Sequence, residues 1–325
     1  MESTIYSPFE DLHFDYDKCF LCGGEPDSQE HVYPKWLQRK YDLWNKRIYF
    51  RNRTSIQYKD LKIPCCKNCN NKSLSQLENK INEAVNGGYE KFKNLDELTI
   101  MQWVSKVYYG KLFKKLNLLI DRKNKDFGTM VNKEQIFSYR GLHEFLQSLR
   151  KPIEFTGDIP WSVQVFQVHN DSRLEDYEYI DTIFITGCIR IGDIGIVYSF
   201  GDWGYAKLGN SKILNDFIDL IIHPIQLQEI AARFSYARSK VNFENLSLIV
   251  MDESRLTYIG TKPNIQLTFN HKEYFMFLQF FFVNFGNSVK LIYDETQESI
   301  TSFLFENNQA RVLDENGQLK CYKRT

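Results

Sequence analysis

Two cysteine pairs decide how this chain is read. They are Cys19-Phe20-Leu21-Cys22-Gly23-Gly24 near the start and Pro64-Cys65-Cys66-Lys67-Asn68-Cys69-Asn70-Asn71 further on. Thiolates two residues apart chelate one tetrahedral ion when the turn between them folds back, and Gly23-Gly24 permits that turn. The 43 residues between Cys22 and Cys66 are more than a simple zinc finger holds, so a substructure is inserted between the halves. Of seven cysteines, five lie in the first 69 positions. An odd, clustered set argues against a disulfide framework and for a structural zinc on Cys19, Cys22, Cys66 and Cys69. Cys65 could replace Cys66 only with a spacing to Cys69 that is one residue too long. With Cys188 and Cys321 it reads as a small apolar packing residue.

Charge is uneven around the pairs. Residues 1–30 carry eight acids and one base, Lys18, whereas residues 31–80 carry twelve bases against Asp42, Asp60 and Glu78. The whole chain balances 41 Lys and Arg with 41 Asp and Glu. That excludes a uniformly basic nucleic-acid coat and an acidic tail, but not a local polyanion-binding face. A length of 325 residues suits two domains better than one, and 43% hydrophobic content supports a sizeable core. The most apolar run, 275–285, is broken by Gln279 and Asn284 and is shorter than the roughly 20 apolar residues of a membrane span. No basic stretch followed by an apolar run opens the sequence, so the expectation is a cytoplasmic protein with no membrane partner.

Periodicity gives the fold class as α+β, with helices preceding a mostly antiparallel sheet. A helix is expected over about 67–85, with Leu74, Leu77, Ile81 and Val85 on one stripe. A second, over 95–121, places Met101, Val104, Tyr108, Leu112, Leu116, Leu119 and Ile120 on a continuous apolar stripe. A third runs over 133–150, broken near Gly141. Past Pro160 the period falls toward two: a strand over 161–168, an acidic loop over 171–181, and a hairpin turning at Gly192-Asp193. Helices follow at 226–241 and 271–285, short strands near Leu246, Ile265 and Val289, and a closing hairpin about Asn316-Gly317.

The insertion contains Glu30-His31-Val32-Tyr33-Pro34-Lys35-Trp36-Leu37, and Asn70-Asn71 follow the last cysteine directly. Two knuckles, a Glu-His pair and an Asn after the final Cys, in that order, resemble the zinc-bound HNH (His-Me finger) endonucleases, in a bacterial subgroup with a longer C-terminal domain. The resemblance spans about residues 17–86. It implies an N-terminal zinc-stapled ββα-metal finger, residues 1–94, followed by a larger helical and antiparallel-sheet domain, residues 95–325. It also implies the roles: His31 as general base, Glu30 and Asn70 as ligands of a catalytic ion, DNA as substrate, and a function such as anti-phage defence.

The chemistry agrees with that assignment. Phosphodiester hydrolysis needs an activated water, stabilisation of phosphorane charge and help for the departing oxygen. An imidazole of near-neutral pKa can take the water's proton. Mg²⁺ or Mn²⁺ prefers oxygen ligands such as a Glu carboxylate and an Asn amide oxygen. Asn70, where relatives carry His, favours these hard ions over softer metals. Neighbours on a strand face opposite ways unless the strand bends, and Pro34 favours a bend. Glu78 reads as a solvent-facing charge that could nonetheless approach the metal from the helix, and Asn71 as a helix cap or a loop or substrate contact. His13, His143, His169, His223 and His271 lack ligand-like companions.

Lys35, Arg39, Lys40, Arg47, Arg51, Arg53 and Lys72 are the candidate nucleic-acid contacts, with Trp44, Tyr49 and Phe50 interleaved as in a groove that tracks a phosphate backbone. The alternative is a non-catalytic zinc-ribbon binding module in which Glu30 and His31 are structural. Residues 95–325 carry no catalytic constellation. Their expected role is a scaffold, a sensor, or a surface for a partner protein or homodimer, one version being an Argonaute-associated effector subunit. The acidic stretch 171–181 could mask the basic finger.

Overall fold

The computed structural model describes residues 16–171, 174–241, 248–251, 256–260, 268–282, 293–294, 296 and 299–321. The strand expected near Leu246 is found two residues on, at Leu248–Met251. The acids before residue 16, His13, and the strands expected near Ile265 and Val289 lie outside the described residues. So does the Cys321 side chain. The chain is mixed α+β and divides into two compact units. One comprises Met1–Asn86, Asp96–Thr156 and Ser247–Ile259; the other comprises Gly87–Leu95, Gly157–Leu246 and Gly260–Thr325. This division departs from a boundary at residue 94, because the segment from Asp96 to Thr156 packs with the N-terminal elements. Among the described residues, no helix is long and apolar enough to cross a membrane.

In chain order the first elements are β1 (Ser28–His31), α1 (Lys35–Lys40), β2 (Arg47–Tyr49), β3 (Ser55–Gln57), β4 (Lys62–Cys65) and α2 (Ser75–Asn86). They continue with α3 (Gly88–Phe92, in the second unit), α4 (Glu97–Lys115), α5 (Lys133–Phe137), α6 (Arg140–Leu146) and β5 (Ile153–Gly157). β1 and β4 pair antiparallel, with Glu30 opposite Ile63 and His31 opposite Lys62. β2 and β3 form a hairpin between them. A π-helical turn over Cys69–Leu74 runs into α2, whose buried stripe is Leu77, Ile81 and Val85, with Leu74 just before it.

The expected 95–121 helix is shorter and differently used. α4 begins at the cap Asp96, which accepts from the Thr99 N–H, and ends at Lys115, so Leu116, Leu119 and Ile120 lie beyond it. Its burial is not one stripe: thirteen residues between Thr99 and Phe113 are buried, on all sides of the helix. A helix apolar all round belongs inside a core. Gly110 lets it approach β4 and the residue that follows β1, since a Cβ there would stand 3.3 Å from Val32 Cγ2 and 3.4 Å from Ile63 Cδ1. The 133–150 segment breaks between α5 and α6, at Ser138 and Tyr139, and Gly141 lies within α6. Asn132 and Gln135 close α5 with a capping box.

The second unit centres on a five-stranded sheet ordered β10-β6-β9-β8-β7, where β6 is Trp161–Val168, β7 Tyr177–Asp181, β8 Thr186–Ile191, β9 Ile194–Phe200 and β10 Ile221–Ile222. Its pairs are antiparallel except β10 with β6. Half of the expected acidic loop is therefore strand β7, whose Tyr177 and Ile180 are buried. The β8–β9 hairpin turns at Gly192-Asp193, with Gly192 at φ 60°, the position such a two-residue turn reserves for glycine. The helix Pro224–Ser239 packs on β8 and β9, with Leu227, Ile230, Ala231 and Phe234 fully buried. Asp202 lies inside this unit. Its Oδ2 accepts from the Ser162 hydroxyl at 2.7 Å and the Ala206 N–H at 2.9 Å, and burial lifts its carboxyl to about 6.

Candidate active site and metal centre

The cysteine centre is assembled from a turn and a helix start. Gly23, at φ 70°, donates its N–H to Cys19 O at 2.8 Å, while the Cys19 N–H reaches Gly24 O at 2.9 Å. The Phe20 N–H bonds Pro64 O at 3.1 Å, tying the turn to β4 beside the second pair. From α6 and the turn after it, His143 Nε2 meets Phe20 O at 3.2 Å and Gln147 Nε2 donates to Leu21 O at 3.0 Å. His143 is thus a core histidine. The four sulfurs of Cys19, Cys22, Cys66 and Cys69 lie within 4.8 Å of one another, with Cys22 and Cys66 Sγ 3.6 Å apart.

Tetrahedral zinc at about 2.3 Å from each sulfur needs sulfur–sulfur separations of about 3.8 Å. An all-thiol set suits a soft or borderline ion, so these residues can hold a metal ion such as zinc. Their mutual hydrogen bonds drive the acidities apart: contacts from Cys22, Cys65 and Cys69 pull Cys19 far below the ordinary thiol, and Cys19 and Cys22 push Cys69 far above it. Cys65 Sγ stands 3.9 Å from Cys19 Sγ and bonds Cys66 O at 3.5 Å, outside the four-sulfur group.

Beside this centre a cavity of about 410 Å³ is lined by Glu30, His31, Lys35, Arg39, Asn70 and Glu78, with Gln29, Trp36, Asn71, Ser75 and Asn79 completing it. β1 ends at His31 and the chain turns through Pro34, the cap of α1. Glu30 and His31, the last two residues of β1, both line this cavity, and α1 brings Lys35 and Arg39 to the same place.

His31 is 8% exposed. Its ring stacks on Trp44 at 6.2 Å between centroids and bonds the Lys59 backbone, while Nε2 is buried with no partner. Burial, with Lys62, Lys35 and Lys106 nearby, lowers its pKa to about 4, so the imidazole is neutral at pH 7. Asn70 spends its amide nitrogen on Ser28 Oγ and Gln29 O, both at 3.2 Å. That leaves Oδ1 as the atom it can offer to a cation.

Lys106 enters from a segment to which sequence reading assigns no role, and Glu78 takes the approach from the helix rather than the solvent-facing position preferred for it. Lys106, 0% exposed on α4, puts Nζ 2.5 Å from Glu30 Oε1, 2.6 Å from Glu78 Oε1, 2.7 Å from His31 O and 3.3 Å from Val32 O. Burial opposes its charge, but Glu30 and Glu78 more than offset that and hold the amine above the ordinary lysine value. Glu78 is therefore not solvent-facing: its side chain is 18% exposed. Burial pushes its carboxyl up to about 7, against the pull of Lys106, and Glu30 adds to the rise. One sequence signal pointed to this. Lys106 is the single charge in Ile100–Gly110, an otherwise uncharged and mostly apolar stretch, and a lysine in a buried helix requires a partner.

The basic candidates separate in space. Lys35 and Arg39 line the cavity, with Arg39 Cζ 5.5 Å from the Trp44 ring centroid. Lys40 bonds Asn86 Oδ1 at 2.8 Å on the far side of α1. Arg47 bonds Ser55 across the β2–β3 hairpin, and Arg51 and Arg53 occupy its exposed turn beside exposed Tyr49. Lys72 is exposed on the π-helical turn and does not line the cavity. Phe50 is buried, so it packs and cannot stack on a base. Comparison with protein-family profiles, with curated proteins and with solved structures gives no match to this chain.

Proposed function

We propose that the chain is a metal-dependent endonuclease of HNH type that hydrolyses phosphodiester bonds in DNA, with a structural zinc on Cys19, Cys22, Cys66 and Cys69. The observation that carries this reading is the convergence of Glu30, His31 and Asn70 with Lys35 and Arg39 on one polar cavity beside the four thiols. The unpartnered Nε2 of His31 and the oxygen donors beside it fit a site for a hydrated hard cation and a phosphate. Glu30 and Asn70 would hold Mg²⁺ or Mn²⁺, which neutralises charge on the phosphoryl oxygens and the departing oxygen.

The chain's own residues supply the rest. His31, neutral at pH 7, accepts the proton of the attacking water at Nε2, and the Trp44 ring and Lys59 backbone fix the imidazole plane. Lys35 and Arg39 at the cavity bind the phosphate and orient the scissile bond. The hairpin arginines would follow the backbone further along the strand. The resemblance that suggests this chemistry also suggests an anti-phage effector, which a plaque assay with the wild-type and His31→Ala genes tests.

One observation favours the second reading, a binding module without catalysis: Glu30 already has an ammonium partner in Lys106. Plasmid cleavage separates the two. The zinc-loaded chain should nick supercoiled DNA with Mg²⁺ or Mn²⁺ and not with EDTA. His31→Ala should lose at least about a hundredfold in rate, within the range of general base removal, while keeping its zinc. Equal cleavage by the two proteins, or none by either, would favour the binding module.

A further inference from the structure

The cavity is lined by one carboxyl that the ligands assigned so far do not include, that of Glu78. Glu30 and Glu78 approach one ammonium, that of Lys106, each through Oε1. Lys106 holds one oxygen of each carboxyl, so a second oxygen of Glu30 and of Glu78 remains in a cavity that Asn70 also lines. A second and independent observation points to a ligand at the same place: His31, more than nine-tenths buried, lines this cavity with Nε2 unpartnered.

We propose that Glu78 is a second carboxylate ligand of the divalent ion, completing with Glu30 and Asn70 a three-residue oxygen site. Lys106 acts through both carboxylates as their positioning residue. It holds one oxygen of each and is itself fixed by the His31 and Val32 carbonyls, so the remaining oxygens of Glu30 and Glu78 are presented together. Glu78 reaches the site because α2 follows the π-helical turn Cys69–Leu74, which carries Asn70 in the same stretch of chain. Three protein oxygens leave the remaining octahedral positions of a hard cation to water and phosphate. The proposal rests on the reading of the cavity as an ion-dependent site.

The test is Mn²⁺ binding to the full zinc-loaded chain, followed by electron paramagnetic resonance of free Mn²⁺ and by calorimetry, with zinc content measured in parallel. Glu78→Gln keeps an acceptor for Lys106 and should weaken Mn²⁺ binding about tenfold or more while one zinc per chain remains. A loss under about fivefold, alongside a large loss in Glu30→Gln, would overturn the role of Glu78 and leave the broader site reading standing. Absence of Mn²⁺ binding in the wild type would overturn both. If Glu78→Gln fails to retain zinc, Glu78→Asp decides. That variant preserves the charge beside Lys106 but withdraws the ligand, so it should show the same weakening, and wild-type affinity in it would overturn the proposal.

Discussion

At the scale of single residues, the site depends on groups whose ionisation the fold controls. His31 is kept neutral by burial and three lysines, which is the state a base needs. Lys106 is kept charged by the two carboxylates it joins. Removing one member of such a buried set costs about 3–5 kcal/mol, because the partners left behind lose their compensation. Lys106→Met should therefore lower the urea midpoint strongly, and a midpoint within error of wild type would show that the triad does not form. Asp202 in the second unit gives a pH-dependent prediction. Its folded pKa, about 6, lies above the ordinary 3.8, so the folded state binds the proton more tightly than the unfolded chain. The penalty is present above pH 6 and is relieved as pH falls toward 4. Relative to Asp202→Asn, the wild type should gain on the order of 3 kcal/mol across that window. Parallel stability–pH curves for the two proteins would contradict this.

At the scale of elements, α4 and the β2–β3 hairpin carry separable roles. Gly110 costs α4 roughly 1 kcal/mol of helix propensity and is retained where the helix meets Val32 and Ile63. Gly110→Val should overpack that contact and destabilise by about 1–3 kcal/mol in urea unfolding. An unchanged midpoint would mean that the helix does not approach the strands as described. The hairpin presents Arg47, Arg51 and Arg53 outside the cavity. Replacing all three with alanine should weaken DNA binding and flatten the dependence of log Kd on log salt by up to about 3, roughly one per lost phosphate contact. Mn²⁺ binding should be unaffected. Anisotropy titrations at several salt concentrations measure the slope, and an unchanged slope removes the hairpin from the interface.

At the scale of the whole molecule, the local features were legible in the sequence and the long-range ones were not. Cys-x-x-Cys spacing brought four sulfurs together, and Gly192-Asp193 marked the hairpin, because both depend on a few neighbouring residues. The convergence of Glu30, His31 and Asn70 on one cavity also followed the order of the motif. The partners of Glu30 did not, since Lys106 lies 76 residues away on a helix beyond the stretch that the resemblance covers. The same gap turned Glu78 to solvent: apolar stripes locate buried faces, but they do not say which acid a buried lysine will meet. Strand β7 was missed because its acidic residues resemble a loop when pairing with β8 is unknown. Chelation of the cysteine-bound metal should lower the melting temperature of the first unit and abolish cleavage, while the second, with its own core, unfolds as before.

The base role of His31 is the claim on which the rest turns, and chemical rescue tests it most directly. Zinc-loaded His31→Gly should nick plasmid far more slowly than wild type with Mn²⁺, and added imidazole should restore cleavage in a concentration-dependent way by entering the vacated space beside Trp44. Wild-type cleavage by the variant without imidazole would contradict the account, and so would a variant that binds Mn²⁺ normally yet shows no response to imidazole at any concentration.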